Sequence, residues 1–589
     1  MAIRNEVSSA AEVLKEIIMK SRLICVLLAL FVACFSFVSC ASTEPLPEVD
    51  PLPFTKGVNL LTYFETWTKG GLPSLSKHDE TDFACLKNMG VNVIRLPIHF
   101  ENLMEPYATG EIYDVILEKL DQVCDWAEKY QIYLVIDNHS FNSEEEDNNP
   151  PTAQFYKEHL EAVWTQLAQR YKNRSKYIIY EIINEPKSKG DVSQKWVKIQ
   201  QEIIDLIRTY DPYRDIVVTS AEFSSIDTLV KMKPYNDPNL IYTFHFYEPM
   251  IFTHQGATWL GEGMANVKDM PFPYDRSRMP KLNKTAASDG WVQYEYGDYN
   301  KIGTEKYINS RVKKVATWAK KNNVRLWCGE MGAKIWINPQ DRLAWINATR
   351  TALRENDIPY CCWGLDGTDG FLKADDFSSI FPYDLDKDAV KAYGFAMPDE
   401  KFMTKTSGFN LAQKPLIIYD NGISEVKLKI HMWGNTHVAI DADTHKLRMK
   451  ASYTSQWGSC DFSIDKNIAS QLAEYEKELS ICFSVKFTNV NQSFVIDFRD
   501  KDEGSALLPW SRAFRVEASD YPIGKWIEIE IPFSNITETG AWSNTEQKFY
   551  EPQKKFDWNR LEVLSLNFND NDNEYTGDIY LDNIVIKLK

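Results

Sequence analysis

Two glutamates in this 589-residue chain stand at the ends of short apolar runs, where paired-carboxyl chemistry becomes available. Glu185 follows Asn184 and precedes Pro186 in YIIYEIINEP (177–186), and Glu330 follows Gly329 in RLWCGEMG (325–332). Brought about 5–5.5 Å apart, two such groups can open an acetal by double displacement: one protonates the leaving oxygen while the other attacks the anomeric carbon. Once the attacking carboxylate is esterified, the first group can give up its proton to activate water.

Groups so far apart in sequence need a scaffold that gathers strand ends. From residue 57 to about 367, short β-rich runs alternate with stretches of helical period, the pattern of βα units on a parallel sheet. Eight runs are present, at 57–64, 92–98, 132–139, 177–186, 215–222, 241–249, 325–332 and 358–367. Between them lie amphipathic stretches such as VILEKLDQVCDWAEKY and QKWVKIQQEIIDLIRTY, apolar at three- and four-residue spacing. Eight such strands close a (β/α)8 TIM barrel. Several runs finish in Arg95, His139, Asn184 and Glu185, His245 and Tyr247, Glu330, or Trp363. The C-terminal strand ends form the active-site face of such a barrel, so these groups are expected to converge on one cleft.

The segments GVNL, NVIRLPI, DNH, INEP, FHFY and GEMG, with Trp363, occur in order at these strand ends. In this the chain resembles glycoside hydrolase family 5, the family of cellulases and mannanases, over about residues 54–395. The resemblance implies Arg95, His139, Asn184, Glu185, His245, Tyr247, Glu330 and Trp363 as the active-site set, Glu185 as acid/base, Glu330 as nucleophile, and no cofactor for catalysis. Arg95 is expected to depress the Glu330 pKa, with Tyr247 donating to the same carboxylate. Partial desolvation and the Glu330 charge are expected to keep Glu185 protonated. Asn184 suits a hydrogen bond to the sugar 2-hydroxyl, and the two histidines bind hydroxyls or orient the carboxyls. Trp363 reads as a pyranose platform or as barrel-top packing. Trp67, Trp259 and Trp336 are further subsite candidates, and His99, His254 and Glu248 are loop or supporting groups. The segment 250–305 exceeds an ordinary barrel connection and carries many aromatics, which points to a wall of the cleft.

Beyond residue 400 the texture becomes alternating strands with little helical period, as in SICFSVKF, SFVIDF and DIYLDNIVIKL. This predicts an all-β jelly-roll sandwich, and it resembles the carbohydrate-binding modules attached to such enzymes. Asp420 and Asp582 are read either as sharing a structural calcium or as turn aspartates. Trp433, Trp457, Trp510 and Trp542 are read as glycan-stacking or core residues. The organisation is thus 1–40 export segment, 41–53 linker, 54–400 catalytic barrel and 410–589 sandwich.

Lys20 and Arg22 precede the apolar run LICVLLALFVACFSFV, which is short for a spanning helix. Its end resembles a bacterial lipoprotein processing site with Cys40 lipidated. Phe37 in place of the usual Leu leaves plain cleavage open, and an uncleaved anchor is the third reading. Each places the bulk of the chain outside the cytoplasm. Seven cysteines remain, without zinc spacing; most are expected to be buried thiols, with a Cys460–Cys482 disulfide as an open alternative. A net charge of −17 argues against a nucleic-acid partner and is compatible with a neutral polysaccharide. The expected substrate is β-1,4-glucan, cleaved internally by a monomer. β-Mannan, xyloglucan and β-1,3-glucan are the alternatives, since specificity lies in the loops. A non-catalytic glycan-binding lipoprotein would be expected to lack one carboxylate, and both are present.

Overall fold

In the computed structural model, the described residues are 49–66, 75, 77–141, 151–186, 192–373, 381–403, 409–423, 430–441, 446–452, 458–504, 507–568 and 577–589. The export segment with Cys40, and also Trp67 and Trp457, lie outside them. Eight parallel strands close a barrel: β1 (Lys56–Asn59), β2 (Val93–Ile98), β3 (Tyr133–Asn138), β4 (Ile178–Glu181), β5 (Ile216–Val218), β6 (Leu240–Phe246), β7 (Arg325–Met331) and β8 (Tyr360–Cys362). All eight expected runs supply a strand, several of them shorter than the run because its last residues belong to the loops that carry the site.

Strand periodicity stacks the barrel interior in layers. Val93, Val135, Ile179, Val217, Ile241, Trp327 and Cys361 pack with Phe54 into a closed apolar floor. Two residues further along each strand, on the same inward face, stand Arg95, Asp137, Glu181, Thr219, Thr243 and Gly329, all buried. Polar groups therefore appear inside the barrel only towards its C-terminal mouth. Gly57 permits the close approach of β1 to β2, since a Cβ there would lie 2.0 Å from the Val93 carbonyl oxygen.

The outer helices form where the sequence is amphipathic. Asp114–Tyr130 and Val192–Tyr210 coincide with the two stretches singled out above. The second buries Trp196, Ile199, Ile203 and Ile207 at three- and four-residue spacing, each worth roughly 1.5–3 kcal/mol of transfer free energy. Helix starts carry side-chain caps: Thr152 accepts from Phe155 N–H, Thr304 from Tyr307 N–H, and Asp79 with Asp82 forms a capping box. Among the described residues no helix is long and apolar enough to cross a membrane.

From Leu416 to Leu588 the chain builds one six-stranded and one seven-stranded antiparallel sheet. They meet through aromatic rings: Phe483 of the first lies 5.7 Å from Phe494 of the second. This is the expected sandwich. Cys460 and Cys482 stand on strands of opposite sheets. They form no disulfide, and all seven cysteines in the described residues are free thiols, six of them buried.

Candidate active site

The centre of the barrel mouth is Arg95, fully buried on β2. Its Nε and Nη2 donate to the two oxygens of Glu181 at 2.7 and 2.9 Å. Nη1 donates to Glu330 Oε1 at 2.7 Å and to Asn59 Oδ1 at 3.1 Å, and Nη2 also donates to Asn184 Oδ1 at 2.8 Å. Asp137 Oδ2 lies 3.0 Å from Nη2. All five N–H groups of the planar fork are engaged, which fixes the guanidinium in plane and direction.

Each neighbour is held in turn. Asn59 at the end of β1 donates its amide to the carbonyls of Gly329 and Cys362 at 3.1 and 3.0 Å, tying β1, β7 and β8 together under the arginine. A bulge between β6 and β7 brings His245 opposite Glu330. The extra residue must be glycine, because a Cβ on Gly329 would lie 2.8 Å from Thr243 Oγ1 and 3.3 Å from His245 Nε2. Because Arg95 donates to Asn184 Oδ1, the Asn184 amide nitrogen is left as the donor on its other side.

Glu330 accepts a second bond from the Tyr247 hydroxyl at 2.7 Å on Oε2. His245 Nδ1 lies 2.5 Å from Glu185 Oε1 and 3.3 Å from Glu330 Oε2. An oxygen of Glu185 and an oxygen of Glu330 come within 4.8 Å of each other. Glu330 is buried, whereas the Glu185 side chain retains 19 % exposure.

The electrostatics differ from the sequence expectation at one point. Burial pushes Glu330 up to about 7; His245, Arg95 and the Tyr247 hydrogen bond pull downward without overcoming it, and the Glu185 charge adds to the rise. Burial likewise raises Asp137 and Glu181 to about 7 against the pull of Arg95. A single guanidinium serves three buried carboxyls, and at each of them burial outweighs its pull. Burial also lowers His245 to about 4, leaving a neutral imidazole at ordinary pH. Tyr247 is held well above its usual range by burial and by the Glu330 charge, so it remains a donor.

A second group lines the mouth. The His139 ring stacks between His99 and half-buried Trp363, with both centroid distances 5.5 Å, and its Nδ1 lies 2.6 Å from Asp137 Oδ2. Glu65, His99 and His139 present ligand atoms within 4.8 Å of one another, as do Glu185, His245 and Glu330. At the first cluster Thr66 N–H donates to His99 Nδ1 at 3.1 Å, which puts the proton of the neutral ring on Nε2. That nitrogen offers a donor rather than a metal-binding lone pair. The cluster suits hydroxyl groups better than a cation.

All eight active-site residues read from the sequence therefore gather at one mouth. Asn59, Asp137, Glu181 and Glu65 belong with them and were not singled out. Of the supporting groups, His254 packs edge-on against Tyr247 at 5.1 Å, whereas Glu248 pairs with Arg311 and Tyr307 on the outside of the barrel. In the segment 250–305, Phe272 and Tyr299 are core residues, Trp291 and Tyr294 face solvent, and Trp259 stands near His254. In the sandwich Trp510 is buried and Trp542 is exposed. Trp433 lies on the strand Ile430–Gly434. Asp582 is fully buried, lies against Arg448, and accepts from the Asn421 N–H at 2.8 Å.

A cellulase model, glycosyl hydrolase family 5, matches residues 55–369, and a carbohydrate binding domain 30 model matches residues 419–588. Endoglucanase 3 of Fibrobacter succinogenes is 31% identical over 304 residues, which is 48% of this chain and 44% of that protein. Endoglucanase H of Acetivibrio thermocellus is 30% identical over 222 residues, 36% of this chain and 23% of its own length. The chain thus spans less than half the length of either relative. Among solved structures, an endoglucanase from Thermotoga maritima aligns with a TM-score of 0.46 at 24% identity, covering 58% of this chain and 96% of its own. With the cellulase model covering more than half of the sequence and all eight barrel strands, the chain belongs to glycosyl hydrolase family 5.

Proposed function

We propose that the protein hydrolyses β-1,4-glucan internally and with retention of anomeric configuration, Glu330 acting as nucleophile and Glu185 as acid/base. The observation that carries this reading is the approach of the two carboxyls to within 4.8 Å. Retaining enzymes hold the pair about 5–5.5 Å apart, whereas inverting enzymes leave roughly 6.5–9.5 Å for a water molecule. Glu330, with Arg95 and Tyr247 on its two oxygens, is the group equipped to attack as an anion. Glu185, the more exposed of the pair, faces the cleft where a leaving oxygen needs a proton. His245 lies between them with one ring nitrogen, and the free amide of Asn184 is placed for the 2-hydroxyl. The half-buried Trp363 offers its face to the sugar ring, with His139 stacked behind it.

The C-terminal module is proposed to hold the polymer near the barrel. Its seven-stranded sheet carries a groove of about 650 Å³ lined by Trp542, Phe549, Arg499, Asp497 and Asn567. Trp542 and Phe549 face each other across two strands, and both are about half exposed. The carbohydrate binding domain 30 match supports the same reading. The N-terminal apolar run supports action outside the cytoplasm.

The test is the anomer released in the earliest turnovers, followed by proton NMR, together with reducing-sugar release from carboxymethylcellulose, glucomannan, xyloglucan and laminarin. The α-anomer as first product, or no release from any β-glucan, would overturn the reading. Glu330→Ala is expected to abolish turnover while polymer binding persists.

A further inference from the structure

β4 ends at Glu181, so Glu185 stands beyond the strand that carries it, and neighbouring segments hold the chain there. The Asn184 N–H donates to the Asn138 carbonyl at 2.9 Å. The next anchors come from one place, the turn that follows β5. Ser224 Oγ donates to the Asn184 carbonyl at 3.0 Å, and the N–H groups of Glu222 and Phe223 donate to the Pro186 carbonyl at 3.1 and 3.3 Å. The carbonyls on both sides of Glu185 therefore rest on three consecutive residues. The Glu185 side chain has a separate anchor, since His245 Nδ1 lies 2.5 Å from its Oε1.

Those three residues form a left-handed turn. Glu222 has φ 64° and ψ 59°, Phe223 has φ 59° and ψ 40°, and Ser224 has φ 52°. L-residues enter this region rarely and singly, because Cβ crowds the following carbonyl oxygen, and a run that includes an aromatic is an outlier. Glycine would take the same path freely, yet none stands here. Packing of the first two side chains does not explain the shape, since Glu222 is exposed and Phe223 is 43% exposed. Ser224 is fully buried, with its hydroxyl turned towards the Glu185 segment. The far side of the turn is braced by Thr228 Oγ1, which lies 2.8 Å from Ser220 Oγ, Ser225 Oγ and the Ala221 carbonyl. A strained conformation persists only where its surroundings over-determine it, and such conformations gather at sites whose chemistry depends on geometry.

We propose that the Glu222–Phe223–Ser224 turn positions the acid/base, with Ser224 as the positioning residue that fixes the backbone from which Glu185 reaches the leaving oxygen. This rests on the reading of Glu185 given above. In the first step the Glu185 proton passes to the glycosidic oxygen as the bond from that oxygen to the anomeric carbon breaks and Glu330 forms the ester. Attack by Glu330 does not draw on the turn, because Glu330 hangs from β7 and takes its bonds from Arg95 and Tyr247. A loosened turn therefore weakens acid assistance and spares the nucleophile.

The experiment measures kcat/KM on two aryl cellobiosides for the full chain and for Ser224→Ala. Phenol is a poor leaving group and needs the Glu185 proton, whereas 2,4-dinitrophenolate departs as the anion without it. Ser224→Ala is expected to lower kcat/KM on phenyl cellobioside about tenfold, the worth of about one hydrogen bond, and to leave it within about twofold on the dinitrophenyl substrate. Azide attacks the glycosyl-enzyme without a general base, so it is expected to raise kcat of S224A on the dinitrophenyl substrate and not that of the wild type. Phe223→Pro removes one donor to Pro186 and forces φ back to about −65°, and is expected to act in the same direction more strongly. Cooperative melting checks that each variant is folded. A fall of equal size on both substrates would assign the turn a merely structural role and overturn the proposal, as would wild-type rates on both. Glu185→Ala in the same assay separates the two readings. Loss confined to the phenyl substrate in E185A but absent in S224A overturns the turn alone. Equal loss on both substrates in E185A overturns the acid/base reading, and the positioning role with it.

Discussion

Glu181→Gln is expected to move the acid limb of the kcat/KM profile to lower pH by about one unit. Arg95 carries one positive charge and touches Glu330, Glu181 and Asp137 at 2.7, 2.7 and 3.0 Å. One cation cannot neutralise three anions in a desolvated floor, and burial raises all three carboxyls to about 7. Two like charges separated by the width of a guanidinium repel by roughly 2–3 kcal/mol at an effective dielectric of about 20, equivalent to roughly two pH units. Glu181 holds its charge only in part over the range where Glu330 titrates, so about half of that shift is realised. The sign follows directly: removing a neighbouring negative charge favours ionised Glu330 and lowers its pKa. The pH dependence of kcat/KM on a soluble cello-oligosaccharide reports the ionisations of the free enzyme. Glutamine keeps one acceptor for Arg95 and turns an amide N–H towards the other donor, a cost of about 1–3 kcal/mol that thermal unfolding reads. An acid limb that stays in place or rises, in a variant that melts cooperatively and retains turnover, would refute the shared-cation account.

Tyr247→Phe removes a donor from the ionised form of Glu330, so its acid limb should shift upward. kcat/KM should also fall about 10- to 100-fold, the worth of a hydrogen bond to a charged group. Arg95→Met leaves Glu181, Asp137 and Glu330 without their cation and is expected to cost about 3–5 kcal/mol, measured as a lower urea midpoint, with no detectable turnover. The folded-state pKa values of Glu65 at about 8 and of Asp137 and Glu181 at about 7 lie above those of unfolded carboxyls. The folded protein therefore binds more protons between about pH 4.5 and 8, and stability should decline as pH rises through that window. Unfolding midpoints at both ends, with none lower at the alkaline end, would contradict this. Trp542→Ala is expected to weaken retention of the protein on insoluble glucan, read by depletion from the supernatant.

The barrel was legible because its signal repeats. Eight apolar runs separated by amphipathic helices leave few alternatives, and the two candidate carboxyls at run ends carry their own marker in Asn184–Glu185–Pro186 and Gly329–Glu330. Asp137 and Glu181 carry no such marker, although their positions are readable. Each stands two residues beyond an inward-facing apolar residue, Val135 or Ile179, on the same strand face. A charge at that parity inside a barrel must find a partner, and Arg95, two residues beyond Val93, is at the same level. The depressed Glu330 pKa expected from sequence fails because burial outweighs the pull of Arg95, His245 and the Tyr247 hydrogen bond. Glu65 was beyond reach, because it follows β1 in a loop whose path no periodicity fixes.

Burial acts in opposite directions on two groups that face each other in the barrel mouth, Glu330 and His245. It raises Glu330 towards the neutral acid and lowers His245 to the neutral base, and both shifts reduce the charge in the barrel mouth. The neutrality of His245 matters for the proposed cycle. Its Nδ1 reaches both Glu185 and Glu330, so an imidazolium there would favour ionisation of both and strip the acid of its proton before the leaving group needs it. A neutral ring offers one hydrogen bond, which can serve Glu330 before attack and Glu185 after it, as the negative charge passes from one carboxyl to the other. Arg95 is left as the fixed charge against which that transfer takes place, and the bonds it donates to Asn59, Glu181 and Asn184 keep it from following the charge as it moves.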